Sequence, residues 1–182
     1  MKLLLAWHPL ERHREAEKAL CSGDARLFLG LAQSNTCWLE IVEANALSLQ
    51  EYGIFEVALR YALTGTRTNN RHFTACRMLD LIKRADRQKL RAAGAPLPGP
   101  GPFTLYRGVA GGGSQRHVRG VSWTASLEKA RWFGKRFGLP NPAVYRAVVL
   151  EQDILAYCNE RREQEFLVRL RPHLRPTLIE RL

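Results

Sequence analysis

The sequence predicts an α+β fold: an N-terminal helical lobe followed by a small, mainly antiparallel β core. Three observations predict it. Apolar residues recur at helical spacing across residues 10–93. Residues 94–102, Gly-Ala-Pro-Leu-Pro-Gly-Pro-Gly-Pro, cannot sustain a helix or a central strand. From Phe103 onward, short β-rich runs alternate with turn residues. The division is therefore a helical lobe over 1–102, ending in the Pro/Gly linker, and a β core over 103–182, the two fitting equally well as one integrated domain.

The elements follow in order. Glu11 to Leu20 has a charged face and stops near Ser22-Gly23. Asp24 is placed to cap a helix over Ala25–Ala32. Thr36 to Thr64 is a long apolar-periodic region, carried by Trp38, Ile41, Val42, Ala46 and Leu49 and then by Phe55, Leu59 and Leu63. Gly53 divides it into two helices. Asn69-Asn70 punctuate the chain. Phe73 to Ala92 reads as one amphipathic helix with Phe73, Cys76, Leu79 and Ile82 as its stripe, widened by Met78 and Leu81. Beyond the linker, Phe103–Val109 and Val118–Thr124 are strand sequences, separated by the glycine loop Ala110–Ser114. Ser126 caps a helix over Leu127–Phe137. Ala143–Val149 is strand sequence, Ile154–Tyr157 suits a shorter strand or a helical turn, and Glu165–Leu170 alternates as a strand.

Composition narrows the function classes. The 182 residues include 46% hydrophobic side chains, enough for a sizeable core, and carry a net charge of +11. The charge is uneven: residues 1–65 hold six Lys/Arg against eight Asp/Glu, and residues 103–182 hold fourteen against seven. A positive field over the later part of the chain attracts polyanions and anionic nucleotides. The four cysteines, Cys21, Cys37, Cys76 and Cys158, show no C-x-x-C spacing, and the histidines, among them His117 and His173, stand alone. No zinc pattern results, no metal site is expected, and free thiols suit a reducing cytoplasm. The apolar start at Met1–Trp7 is cut short by His8-Pro9, so no signal peptide is expected, and no stretch reaches the length of a membrane span. The expectation is a protein of a cytoplasm, of the producing or of a target cell, with no membrane partner.

Three islands carry chemistry. Thr104-Leu105-Tyr106-Arg107-Gly108 puts a guanidinium on a strand, a rigid fork for phosphate oxygens, beside a glycine that lets a planar ring approach. Ser122-Trp123-Thr124 puts two hydroxyls on one side of a strand, able to orient a carboxylate. Glu163-Gln164-Glu165 puts two carboxylates on a common side if the chain is extended. Such a pair suits a reaction with oxocarbenium-like character, one acid steadying positive charge and the other orienting the nucleophile. The plain alternative for the run Asn159–Glu165 is a solvated charged turn. Gly111–Gly113 lacks a following P-loop Lys and a helix, and makes a poor phosphate cradle.

Over residues 103–170 the order of these pieces resembles the mono-ADP-ribosyltransferases of the arginine–serine–glutamate class, which includes bacterial toxins. The pieces are Leu105-Tyr106-Arg107-Gly108, Val121-Ser122-Trp123-Thr124, the Ala130-Arg131-Trp132-Phe133 helix segment, and Glu163-Gln164-Glu165-Phe166-Leu167-Val168. The resemblance implies an ADP-ribosyltransferase type of fold and NAD as substrate. Arg107 would hold the pyrophosphate, and the backbone of Gly108 would pair with the nicotinamide carboxamide. Ser122 would orient Glu165, and Thr124 would support the sheet and the pocket; Phe133, like Trp123 and Trp132, fits either a core position or a pocket wall. Glu165 would bind the ribose 2′-hydroxyl and stabilise the cation, and Glu163 would guide the acceptor, in the pattern of arginine-modifying members. The acceptor would be a macromolecule, a protein or a nucleic acid. An immunity or antitoxin protein would be a further partner if the chain is a toxin or a phage-encoded effector. Two departures stand out: the middle motif is Ser-Trp-Thr in place of Ser-Thr-Ser, and Ser122 follows Arg107 by only fifteen positions. Two other functions fit the residues: a basic nucleic-acid-binding module, resting on the +11 charge, and an NAD glycohydrolase that uses water as acceptor.

Overall fold

A computed structural model describes residues 3–65, 73–113, 117–172 and 174–182. Asn69-Asn70, Ser114 and His173 lie outside the described residues. The chain forms two compact units, Met1–Ala93 and Gly94–Leu182. It is mixed helix and antiparallel sheet, as the α+β expectation required.

The first unit is helical. After a 3-10 turn at Leu10–Arg12, α1 spans His13–Cys21 and α2 spans Ala25–Gly30. Asp24 caps α2 by accepting from the Leu27 N–H at 2.8 Å. The Thr36–Thr64 region holds three helices where two were expected: α3 (Trp38–Ala44), α4 (Ala46–Glu51) and α5 (Phe55–Gly65). Gly53, at φ 69°, makes the second break. The first break is at Asn45, and its cause is tertiary. Asn45 Oδ1 accepts from the Leu4 N–H at 2.8 Å while Nδ2 donates to the Leu4 carbonyl at 2.9 Å, tying the N-terminal segment to the helical core. Asn45 is buried, so Asn45→Ala leaves both Leu4 groups without partners. A loss of about 2 kcal/mol is expected, readable as a lower thermal midpoint in circular dichroism.

The segment from Phe73 to Ala92 is two helices rather than one, α6 (Ala75–Arg84) and α7 (Arg87–Ala92). The chain extends at Ala85 and Asp86. Asp86 caps α7 by accepting from the Lys89 N–H at 3.0 Å, and its own N–H donates to Glu56 Oε1 at 2.9 Å. The break rotates the stripe: Phe73, Leu81, Ile82 and Leu90 are buried, while Cys76 and Leu79 face water. Lys83, Arg84, Arg87 and Lys89 are exposed.

The second unit is a six-stranded sheet with one α-helix among its described residues. Its strands are β1 (Phe103–Val109), β2 (Ser122–Thr124), β3 (Ala143–Val149), β4 (Ile154–Cys158), β5 (Glu165–Val168) and β6 (Thr177–Arg181), in the order β4-β5-β2-β1-β3-β6. Each described pairing is antiparallel. Helix α8 (Leu127–Lys135) is capped by Ser126, which accepts from the Lys129 N–H at 3.2 Å. Leu105, Trp123, Ala147, Val149, Ile154, Tyr157, Phe166 and Val168 form the core. The Pro/Gly segment belongs to this unit: Ala95 N–H donates to the Tyr157 carbonyl at 2.7 Å, along the edge strand β4. The uncertain Ile154–Tyr157 is strand. The expected Val118–Thr124 strand shrinks to three residues: the chain turns at Val118-Arg119, and the His117 and Gly120 carbonyls accept from Arg107 Nε and Trp123 Nε1. The edge strand β6 was not expected; exposed on both faces, it carries no one-sided alternation.

Candidate functional site

Arg107 sits on β1, which pairs with β3 along its whole length, Arg107 opposite Tyr145. A strand anchored so completely holds the base of the side chain still. The guanidinium meets two main-chain carbonyls: Nε donates to His117 at 2.9 Å and Nη1 to Ser122. Burial pushes its pKa down to about 10, and the negative field of Glu165 opposes that shift only in part. At neutral pH it is a charged, half-buried group whose described hydrogen bonds go to neutral carbonyl oxygens.

Gly120 covers this cation. A Cβ at position 120 would fall onto Nη2 and Cζ of Arg107. The guanidinium, held by two carbonyls, cannot move aside without losing them. Gly120→Ala is therefore expected to tilt Arg107 out of its cradle and, should Arg107 hold the pyrophosphate that the resemblance implies, to weaken binding of ADP-ribose about 10-fold, measured by calorimetric titration, roughly the worth of one charge-assisted hydrogen bond. Unchanged affinity would show that the cradle does not set the pose of Arg107.

Ser122 continues the chain of contacts. Its carbonyl accepts from Arg107, and its hydroxyl donates to Glu165 Oε1 at 2.5 Å. Strand pairing explains the reach. Thr124 lies opposite Glu165 and Ser122 opposite Leu167, so both hydroxyls share a side with the carboxylate, while Trp123 and Phe166 turn to the core. Glu165 is 7% exposed. Burial raises its pKa above the ordinary carboxylate range, against the lowering effects of Ser122, Arg161 and Arg107 and with a raising effect from Glu163.

Thr124 acts on the turn that carries the other acid. Its hydroxyl donates to the Glu163 carbonyl at 2.7 Å and accepts from the Ser126 N–H at 3.1 Å. Glu163 precedes β5 and is not in an extended run, because Gln164 has φ 47°. Alternation is therefore not what brings the two acids together. Arg161 brings them together: Nη2 lies 2.9 Å from Glu163 Oε2 and 3.3 Å from Glu165 Oε2.

Gly108 and Phe133 stand differently. A Cβ on Gly108 would strike the backbone of Ala130 and Gly134, so this glycine lets α8 lie against β1. Its small size answers to helix packing, and the approach of a planar ring is not needed to explain it. Phe133, on α8, meets Trp132 at 5.1 Å between ring centres and lies under the Arg136 guanidinium, 5.1 Å from its ring centre. Trp132 beside it is 55% exposed. The structure thus joins Arg107, Ser122, Thr124, Glu163 and Glu165 through one network and gives Phe133 a separate aromatic cluster. Sequence reasoning missed Gly120, which no motif marks, and Arg161, which was visible only as one charge in a charged run.

Among the described residues, no group of three or more His, Cys, Asp or Glu could hold a metal ion, and no helix is long and apolar enough to cross a membrane. All four cysteines are free. Comparison with protein-family models, curated proteins and solved structures gives no match.

Proposed function

We propose that the chain is an NAD-dependent mono-ADP-ribosyltransferase that acts on a macromolecular acceptor, an arginine side chain in the first instance. The observation that carries the reading is the continuous link from Arg107 through Ser122 to Glu165, with Glu163 held alongside. A half-buried guanidinium next to a buried, oriented carboxylate suits a substrate with a pyrophosphate at one end and a nascent cation at the other. Arg107 grips the pyrophosphate. Glu165, fixed by Ser122, accepts the ribose 2′-hydroxyl and opposes the charge that develops as the bond from ribose C1′ to the nicotinamide nitrogen breaks. Nicotinamide leaves as a neutral ring with the bonding electrons. The acceptor then attacks C1′ and gives its proton to Glu163. The fold is of ADP-ribosyltransferase type on this reading, with the helical unit as its N-terminal lobe.

Incubating a bacterial lysate with the protein and NAD labelled in the adenine tests it. Label in macromolecules, lost with Glu165→Gln, supports transfer. Label confined to free ADP-ribose assigns a glycohydrolase. The exposed basic residues of α6 and α7, with the +11 charge, favour a second reading as a nucleic-acid binder. That reading predicts salt-sensitive binding indifferent to Glu165→Gln and no fate for NAD.

A further inference from the structure

The oxygen that holds Arg107 Nε comes from a turn and not from a strand. His117 to Gly120 close on themselves, the Gly120 N–H donating to the His117 carbonyl at 3.2 Å. That same carbonyl accepts from Arg107 Nε, and the Cβ direction of Gly120 points into the Arg107 guanidinium. The turn is pinned where the chain leaves it. The Gly120 carbonyl accepts from Trp123 Nε1 at 2.8 Å, and the Val121 carbonyl accepts from the Val168 N–H at 2.8 Å. His117, at the entering end, is exposed. Arg119 holds the turn from its middle. Its Nη1 donates to the Leu174 carbonyl at 2.6 Å and its Nη2 to the Arg171 carbonyl at 2.7 Å, with the Leu170 carbonyl at 3.5 Å from Nη2. The receiving segment is itself fixed. Arg171 Nε donates to Oδ1 of the buried Asp153 at 2.8 Å, the Arg169 N–H donates to the Asp153 carbonyl at 2.9 Å, and Leu170 and Leu174 pack on the core. An exposed arginine gives up rotamer freedom to hold one pose. Arg119 does so to join its turn to residues 52 and 55 positions away.

We propose that Arg119 is a positioning residue for Arg107: by holding the His117–Gly120 turn to the Arg171 and Leu174 carbonyls, it sets the plane in which the Arg107 guanidinium meets the substrate's phosphates. The inference rests on the transferase reading above. Arg119 spends its own donors on main-chain carbonyls and acts only through the turn. Without it the turn pivots about Val121, and the His117 carbonyl and Gly120 move together. Arg107 then keeps its charge and its bond to the Ser122 carbonyl, but the plane of its fork is no longer fixed. A guanidinium pairs with phosphate oxygens through two parallel bonds only when that plane is set. The loss therefore falls on the grip of the pyrophosphate. Glu165 is spared, because its orientation comes from the Ser122 hydroxyl across the β2–β5 pairing.

The experiment measures nicotinamide release by the purified full chain against NAD concentration, by chromatography, with each fold verified by circular dichroism. Arg119→Ala is expected to raise KM for NAD about 10-fold and to leave kcat within about twofold of the parent. Arg119→Lys keeps a donor without the fork. It should show a smaller rise in the same parameter, and it carries the test if the alanine variant does not fold. The deciding arm repeats the Arg119 substitution in an Arg107→Lys background. There it should change KM by less than about twofold, because its effect runs through the fork that is already gone. A rise in KM that persists undiminished in that background overturns the inference. So does an unchanged KM, or a loss confined to kcat. In each of these outcomes the parent still cleaves NAD, and the transferase reading stands. A parent that releases no nicotinamide removes the reading and the inference together.

Discussion

Glu165→Gln is expected to lower nicotinamide release from NAD by at least about 100-fold while the protein stays folded. The amide keeps the shape and an oxygen for the Ser122 hydroxyl but cannot oppose a developing positive charge. The same substitution has a second, opposite effect on stability. Burial raises the pKa of Glu165, so the folded state holds this proton more tightly than the unfolded state does. For a raised carboxyl the sign is fixed: stability falls as pH rises from the ordinary carboxylate range through the folded pKa, and the penalty stays above it. Glu165→Gln removes that penalty. Its thermal midpoint should equal or exceed the parent's at neutral pH, with the difference shrinking as the solution is acidified. Activity has its own acid limb. The reaction needs ionised Glu165, so the rate should fall on acidification earlier than an unperturbed glutamate would require. A variant that is both inactive and much less stable at neutral pH would mean that Glu165 is a structural ion-pair partner.

Arg107→Lys is expected to cost roughly 100-fold in kcat/KM, mostly through a higher KM for NAD. Charge alone is conserved by this change. The Arg107 fork donates to the His117 and Ser122 carbonyls from two nitrogens of one plane, and it presents its remaining edge already oriented. A lysine ammonium reaches one carbonyl at a time, and its flexible stem must be ordered for each binding event. With its pKa at about 10, Arg107 stays charged across the neutral range, so its contribution should not titrate below about pH 9. A Lys variant with unchanged KM would show that the cation serves the turn at His117 and touches no phosphate.

How much of this could be read from the sequence follows from where each signal resides. Phe103–Val109 and Ala143–Val149 emerged with their observed limits, because both are β-rich runs that start directly after a proline, Pro102 and Pro142, and are decided locally. The contact of Ser122 with Glu165 was expected from the resemblance alone, and it forms because the two residues lie on adjoining antiparallel strands. Signals that depend on distant residues were not legible. Asn45 splits a helix because its amide has Leu4 to bind, and Asp86 does the same with Glu56 below it. The two acids meet, but through Arg161 and a left-handed Gln164, where alternation had been expected. Gly108 was read for its freedom to admit a ligand, yet its neighbour is the α8 backbone, which no local pattern announces. Gly120 is invisible for the same reason: its role exists only once Arg107 has folded against it.

The central claim is that the acid at 165, steered by Ser122 and facing Arg107, cleaves NAD. The most direct test gives purified protein NAD and measures free nicotinamide over time by chromatography, for the parent and for Glu165→Gln at matched fold. The account predicts steady release by the parent and background release by the variant. Equal release by both, or none by a folded parent at millimolar NAD, would contradict it.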